Sequence, residues 1–220
     1  MEKTPDYRLV ITIALKKEVP EGCLISHHIP VCTLASLKSG ALRRKNAPNA
    51  DMLIIITGAG HTASEEAACW IRDNINPLHV VNIGTCGLTD RTYAPGKWII
   101  PQYVANEEGD RLKLDTQIPL IHHGDMIDVH SLLSVKKPCL GDLPMTWKKH
   151  EAVDMECYFQ AKVFADTNIN FHCLKFSTDY SDHNALSDFD LHLDSFNQQL
   201  PELFSPSKGG DGGIRLDRRD

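Results

Sequence analysis

The feature that most constrains this chain is a series of short apolar runs rich in β-branched residues, alternating with segments of helical composition. Residues 9–15 (LVITIAL) and 51–57 (DMLIIIT) are continuous rather than alternating, as expected of strands covered on both faces, and 79–83 (HVVNI) is a shorter strand of the same kind. Residues 97–104 (KWIIPQYV) and 171–176 (FHCLKF) are also strand-like, with Pro101 marking a bulge or an edge in the first of them. Between the runs, TASEEAACWIRDNI predicts a helix capped by Thr62 or Ser64, with Glu65 and Glu66 in its first turn and Pro77 closing it. Residues 155–166 and 186–204 have helical composition, the latter as a long final helix. Such alternation predicts an α/β fold, a three-layer αβα sandwich with a mixed, largely parallel central sheet. The stretch 106–149 is harder to read, with a strand-like piece at 131–135. One domain is expected over residues 1–204, followed by a disordered tail, SPSKGGDGGIRLDRRD, at 205–220.

Composition removes several classes of function. A net charge of -6 disfavours binding to nucleic acid or to an acidic membrane surface, so neither is expected as a partner. The one basic cluster, Arg43, Arg44 and Lys45, reads as a solvated loop. Seven cysteines, an odd number with no C-x-x-C pair, point to a reducing compartment. Residues 1–8 are polar and the longest apolar stretch, 52–57, is too short to span a bilayer, so a cytoplasmic location is expected. His27-His28 and His122-His123 are adjacent pairs whose side chains would leave a strand on opposite faces, and no H-E-x-x-H or Cys/His cluster is present. No metal and no cofactor are expected. Residues 58–63 (GAGHTA) lack the third glycine of a dinucleotide-binding loop and fit a plain strand–helix turn.

Ligands of open α/β sheets gather where strands end. Three strand ends here carry polar residues: Glu18, the Gly-rich turn Gly84-Thr85-Cys86-Gly87, and Thr178-Asp179. Each has an ordinary alternative, as a surface helix residue, a tight turn and a helix cap respectively. Taken together, A-L-K-K-E-V (14–19), V-V-N-I-G-T-C-G-L (80–88), A-V-D-M-E-C (152–157) and F-S-T-D-Y-S-D (176–182) resemble, in this order, the motifs of the nucleoside phosphorylase and nucleosidase superfamily. The similarity spans roughly residues 8–200 and takes in purine nucleoside phosphorylases and methylthioadenosine/S-adenosylhomocysteine nucleosidases. The run S-V-K-K-P (134–138) resembles hopanoid-associated nucleosidase-like proteins, a group acting on a bulky adenosyl lipid precursor.

The resemblance implies cleavage of an N-glycosidic bond through an oxocarbenium-like transition state. It implies Asp179 as the general acid that protonates N7 of the base and Glu18 as the base that binds and activates water. Glu156 would grip the ribose hydroxyls, Met155 would lie against the sugar, and Thr85 and Gly87 would let backbone approach the substrate. Glu18, together with Asn82 where hexameric phosphorylases carry a phosphate-binding arginine, favours hydrolysis over phosphorolysis. Cys86 resembles the phosphorylase version. The substrate expected is an adenosyl-type nucleoside, and a homo-oligomer, dimer or hexamer, is implied. Stacking on the base could come from Trp147, Phe159 or the 131–135 strand, each of which also reads as core packing. Two other functions stay open: a phosphorylase clamped by Arg43 or Arg44, and a catalytically weak nucleoside-binding protein.

Overall fold

The computed structural model describes residues 7–19, 29–39, 51–120 and 126–204. The expected tail, Cys23, the Arg43-Arg44-Lys45 cluster and both histidine pairs lie outside them. The strands are β1 (Leu9–Ile13), β2 (Val31–Thr33), β3 (Met52–Ile56), β4 (His79–Leu88), β5 (Trp98–Asn106), β6 (Arg111–Lys113), β7 (Met126–Ser134), β8 (Ala152–Asp154) and β9 (Asn170–Asp179). The helices are α1 (Leu34–Lys38), α2 (His61–Asn74), α3 (Cys157–Phe164) and α4 (Ala185–Gln199), with a 3-10 turn Leu200–Phe204 continuing α4.

All strands join one mixed sheet, in the order β2-β3-β1-β4-β8-β7-β5-β6, with β9 pairing both β4 and β5. Pairing is parallel along β2-β3-β1-β4-β9 and β5-β7-β8, and antiparallel where β4 meets β8 and where β5 meets β6 and β9. The pairings β4-β8-β7-β5-β9-β4 therefore close on themselves, so half of the sheet curls into a ring. Every residue of β1 is buried, as its unbroken apolar sequence requires. One face of the sheet packs Val10, Leu53 and Val80 with Ala67 and Ile71 of α2 and Phe164 of α3. The other packs Leu9, Ile11, Ile54 and Phe176 with Phe196 of α4 and Leu203 and Phe204 beyond it. These two cores make the three layers.

Four local expectations change. The segment Gly84–Gly87 is not a turn: β4 runs through it to Leu88, and its register with β9 shifts between Cys86 and Gly87. Past that bulge Gly87 still pairs with Asp179 of β9, while β8 takes up Gly87 and Leu88 on the other edge, beyond the last β1 partner at Asn82. Helix α2 starts at His61 with Gly60 as its cap, so Glu65 and Glu66 fall beyond the first turn. Pro101 lies inside β5, opposite Val129 of β7, on the stretch where the other edge passes from β9 (at Trp98 and Ile99) to β6 (at Tyr103–Ala105). A residue without an N–H costs little at that changeover. The long final helix ends at Gln199 and tightens into the 3-10 turn.

No helix of the described residues is long and apolar enough to cross a membrane. Cys32, Cys69, Cys86, Cys139, Cys157 and Cys173 are free thiols. Among the described residues no group of three or more His, Cys, Asp or Glu is placed to hold a metal.

Candidate active site

A cleft of about 280 Å³ opens at the C-terminal ends of β1, β4 and β9, beyond the point where β1 stops pairing with β4. Its wall includes Glu18, Thr85, Gly87, Met155, Glu156 and Asp179, so all six candidate residues meet in one place. They arrive from four separate parts of the chain.

Glu18 sits in the 3-10 turn Lys16–Glu18 after β1 and is only 1% exposed. One carboxylate oxygen accepts hydrogen bonds from the Thr85 backbone N–H (3.0 Å) and hydroxyl (2.9 Å), the other from the Leu15 N–H (2.8 Å). Thr85 thus holds Glu18 against the middle of β4. Next to it Gly84 leaves an open spot: a β-carbon there would lie 3.4 Å from Glu18 Oε1 and 3.5 Å from Lys175 Nζ.

Lys175 is the residue that sequence reasoning missed. It stands in β9, is 1% exposed, and its ammonium lies 2.9 Å from Asp154 and 3.8 Å from Glu156. Burial opposes its charge, but Asp154 and Glu156 outweigh it and hold its pKa well above that of a free lysine. Asp154 itself accepts from the Ser134 hydroxyl and from the Cys157 N–H (2.9 Å). A signal was available: a lone lysine inside FHCLKF is too costly to bury without partners.

Glu156 caps α3, and its carboxyl reaches across to α2. Its Oε1 accepts from the Gly60 N–H at 2.9 Å, and Oε2 lies 3.3 Å from the Met155 N–H. Gly60 aims that N–H by adopting φ +86°, a conformation open to glycine, so the strand–helix turn between β3 and α2 also serves the site. Burial pushes the Glu156 carboxyl up to about 7, Lys175 pulls it down, and Asp154 adds to the rise. Met155 lines the cleft beside Gly60.

Asp179 closes β9. The Thr178 hydroxyl donates to its Oδ2 (2.7 Å) and the Ser181 N–H to its Oδ1 (2.7 Å). Burial raises its pKa above the ordinary aspartate range, the two hydrogen bonds pull it back, and Asp188 and Asp182 add to the rise. The facing wall is bare backbone: a β-carbon on Gly87 would fall 1.9 Å from Ser181 Oγ and 2.6 Å from Asp179 Oδ1. Gly87→Ala should therefore displace both residues and lower kcat/KM by about 10²-fold in steady-state assays, with the circular dichroism spectrum unchanged.

Other candidates fall elsewhere. Asn82 is buried under the site, where its amide donates to Thr12 and Thr12 in turn to Gln160. Phe159 stacks on His61 with centroids 4.1 Å apart, and Trp147 packs with Ala105, Leu133 and Val135, so neither ring lines the cleft. Of the 131–135 strand, Val135 does. The open side of the cleft is apolar, with Leu140, Leu186 and Phe189, and Lys17 lies 4.2 Å over the Phe189 ring.

No protein-family model matches the sequence, and no curated protein matches it. Solved structures do match the fold. A 5'-methylthioadenosine/S-adenosylhomocysteine nucleosidase from Helicobacter pylori, solved with butyl-thio-DADMe-Immucillin-A, aligns at TM-score 0.67 and 14% identity, covering 90% of this chain and 96% of that one. A futalosine hydrolase from Helicobacter pylori aligns at TM-score 0.68 and 12% identity, covering 90% and 96%. The 5'-methylthioadenosine/S-adenosylhomocysteine nucleosidase of S. pneumoniae, solved with a transition-state inhibitor, aligns at 0.67 and 16%, covering 89% and 96%. The chain has the mixed α/β fold of these solved structures.

Proposed function

We propose that this protein is a purine nucleoside hydrolase that cleaves the N-glycosidic bond of an adenosyl-type nucleoside to free base and free sugar. The observation that carries the reading is the meeting of Glu18, Glu156 and Asp179, three carboxyl groups from distant segments, around one cleft with a buried lysine beneath them. Folding brings such groups out of water at a cost, and a reaction through a ribosyl cation gives each of them work.

Asp179, raised by burial, donates a proton to N7 of the base as the C1′–N9 bond breaks. Glu156 accepts hydrogen bonds from the ribose hydroxyls and its negative charge stabilises the cation. Water beside Glu18 on the cleft wall attacks C1′ and gives its proton to Glu18. The C–N bond is replaced by a C–O bond, and the proton lost by Asp179 is matched by the one Glu18 receives. The apolar rim at Leu140, Leu186 and Phe189 suits an uncharged 5′ substituent. Membership of a homo-oligomer, a single domain over 1–204 and a cytoplasmic location belong to the same reading.

Phosphorolysis is disfavoured by charge. Among the described residues no arginine lines the cleft, Lys175 beneath it is already matched by Asp154 and Glu156, and Lys17 at its open side lies over Phe189 and 3.9 Å from Asp190. A phosphate dianion entering beside Glu18 would meet repulsion at close range. Wild-type protein should release adenine and free sugar from methylthioadenosine at the same rate with and without phosphate. Glu18→Gln should slow that release by about 10²-fold or more. Sugar 1-phosphate formed only when phosphate is added would replace hydrolysis with phosphorolysis.

A further inference from the structure

We propose that Ser181 reads the base: its hydroxyl hydrogen-bonds the exocyclic group on C6 of the purine, next to Asp179 at N7. The inference rests on the cleft being a purine nucleoside site and adds a specificity residue that the motif comparison does not assign.

Three observations lead to it. First, the polar side chains along the inner cleft are mostly committed. The Thr85 hydroxyl donates to Glu18, the Thr178 hydroxyl lies 2.7 Å from Asp179 Oδ2, and Asp154 is engaged by Lys175, Ser134 and Cys157. The Ser181 hydroxyl lines the same wall, on a residue 4% exposed, and has no hydrogen-bond partner among the described residues. Second, Ser181 adopts φ +53°, a left-handed conformation disfavoured for a residue with a β-carbon. The strain buys the Ser181 N–H contact to Asp179, which glycine would make as well, so the side chain needs a separate reason. Third, the hydroxyl and Asp179 Oδ1 both lie against the bare backbone of Gly87, 1.9 Å and 2.6 Å from where its β-carbon would stand, so they are adjacent polar atoms on one wall of the cleft.

On a purine, N7 and the substituent on C6 share one edge, about as far apart as two hydrogen-bonded heavy atoms. A group at N7 therefore has a neighbour aimed at C6. A hydroxyl both donates and accepts, so Ser181 would serve an amino or an oxo group and would discriminate against hydrogen.

The test compares methylthioadenosine with its analogue carrying hydrogen at C6, using wild-type protein, Ser181→Ala and Ser181→Gly. Leaving-group differences cancel when the ratio of kcat/KM for the two substrates is compared across proteins. The expected result is that this ratio falls about fivefold to tenfold in both variants alike, the worth of one neutral hydrogen bond. Glycine relieves the strain and alanine keeps it, so equal losses trace the effect to the hydroxyl. An unchanged ratio in both variants overturns the proposal, as does a loss in Ser181→Ala that Ser181→Gly restores. If wild-type protein releases base from neither compound, the hydrolase reading fails on its own account. The ratio of calorimetric dissociation constants for the two nucleosides then decides Ser181: a fall in both variants supports it, while an unchanged ratio, or no binding, overturns it.

Discussion

Asp179→Asn should lower kcat by about 10³-fold while leaving nucleoside binding within a few-fold of wild type, because only the proton is removed. The amide has the shape of the acid. Its oxygen can still accept from the Ser181 N–H, and its NH₂ can face the Thr178 hydroxyl, which has lone pairs to receive it. What the amide cannot do is hand a proton to a departing purine. Single-turnover kinetics with a titration of the substrate analogue would separate the two effects. A variant that keeps near-wild-type turnover would remove Asp179 from the mechanism, and with it the orientation of the base in the cleft.

Lys175→Met should destabilise the protein by about 3–5 kcal/mol, the cost of leaving buried charge without its partner. The reason is local: the ammonium lies 2.9 Å from Asp154, and Lys175 is 1% exposed. Equilibrium unfolding in denaturant would measure the loss, and Lys175→Met combined with Asp154→Asn should recover part of it. The same variant carries a pH signature. Glu156, at about 7, is pushed up by burial and held down by Lys175, so kcat/KM should rise with pH through about 7 as Glu156 ionises. Without the lysine the carboxyl is harder to ionise, and the rising limb should move to higher pH. A limb that stays in place would show that a group other than Glu156 governs it.

Much of the architecture was legible in the residues, for reasons that hold strand by strand. A continuous apolar run such as LVITIAL has no polar face to give to water, so β1 had to lie inside a covered sheet, and it does. Helices α2, α3 and α4 occupy the segments whose composition called for them. The boundaries drifted where tertiary contacts decide them. Gly84–Gly87 reads as a turn because glycines favour turns, yet β8 and β9 supply hydrogen-bond partners on either side and keep it extended. The cap of α2 falls at Gly60 rather than at Thr62 or Ser64, where the Gly60 N–H donates to Glu156, a residue 96 positions away in the sequence.

The sequence by itself determined the layered α/β plan, and the resemblance of four ordered motifs to those of the nucleoside phosphorylase and nucleosidase superfamily nominated Glu18, Thr85, Gly87, Met155, Glu156 and Asp179. Only the tertiary structure decided which polar groups act on which. Lys175 has no partner within its own strand; Asp154 and Glu156 reach it across the ring of strands, and their charges make its burial tolerable. Ser181 likewise acquires meaning only against Gly87 of β4, whose missing side chain lets the Ser181 hydroxyl lie against its backbone. Electrostatic pairing and close approach depend on distances in space, and a linear order of residues carries those distances only after the sheet has closed.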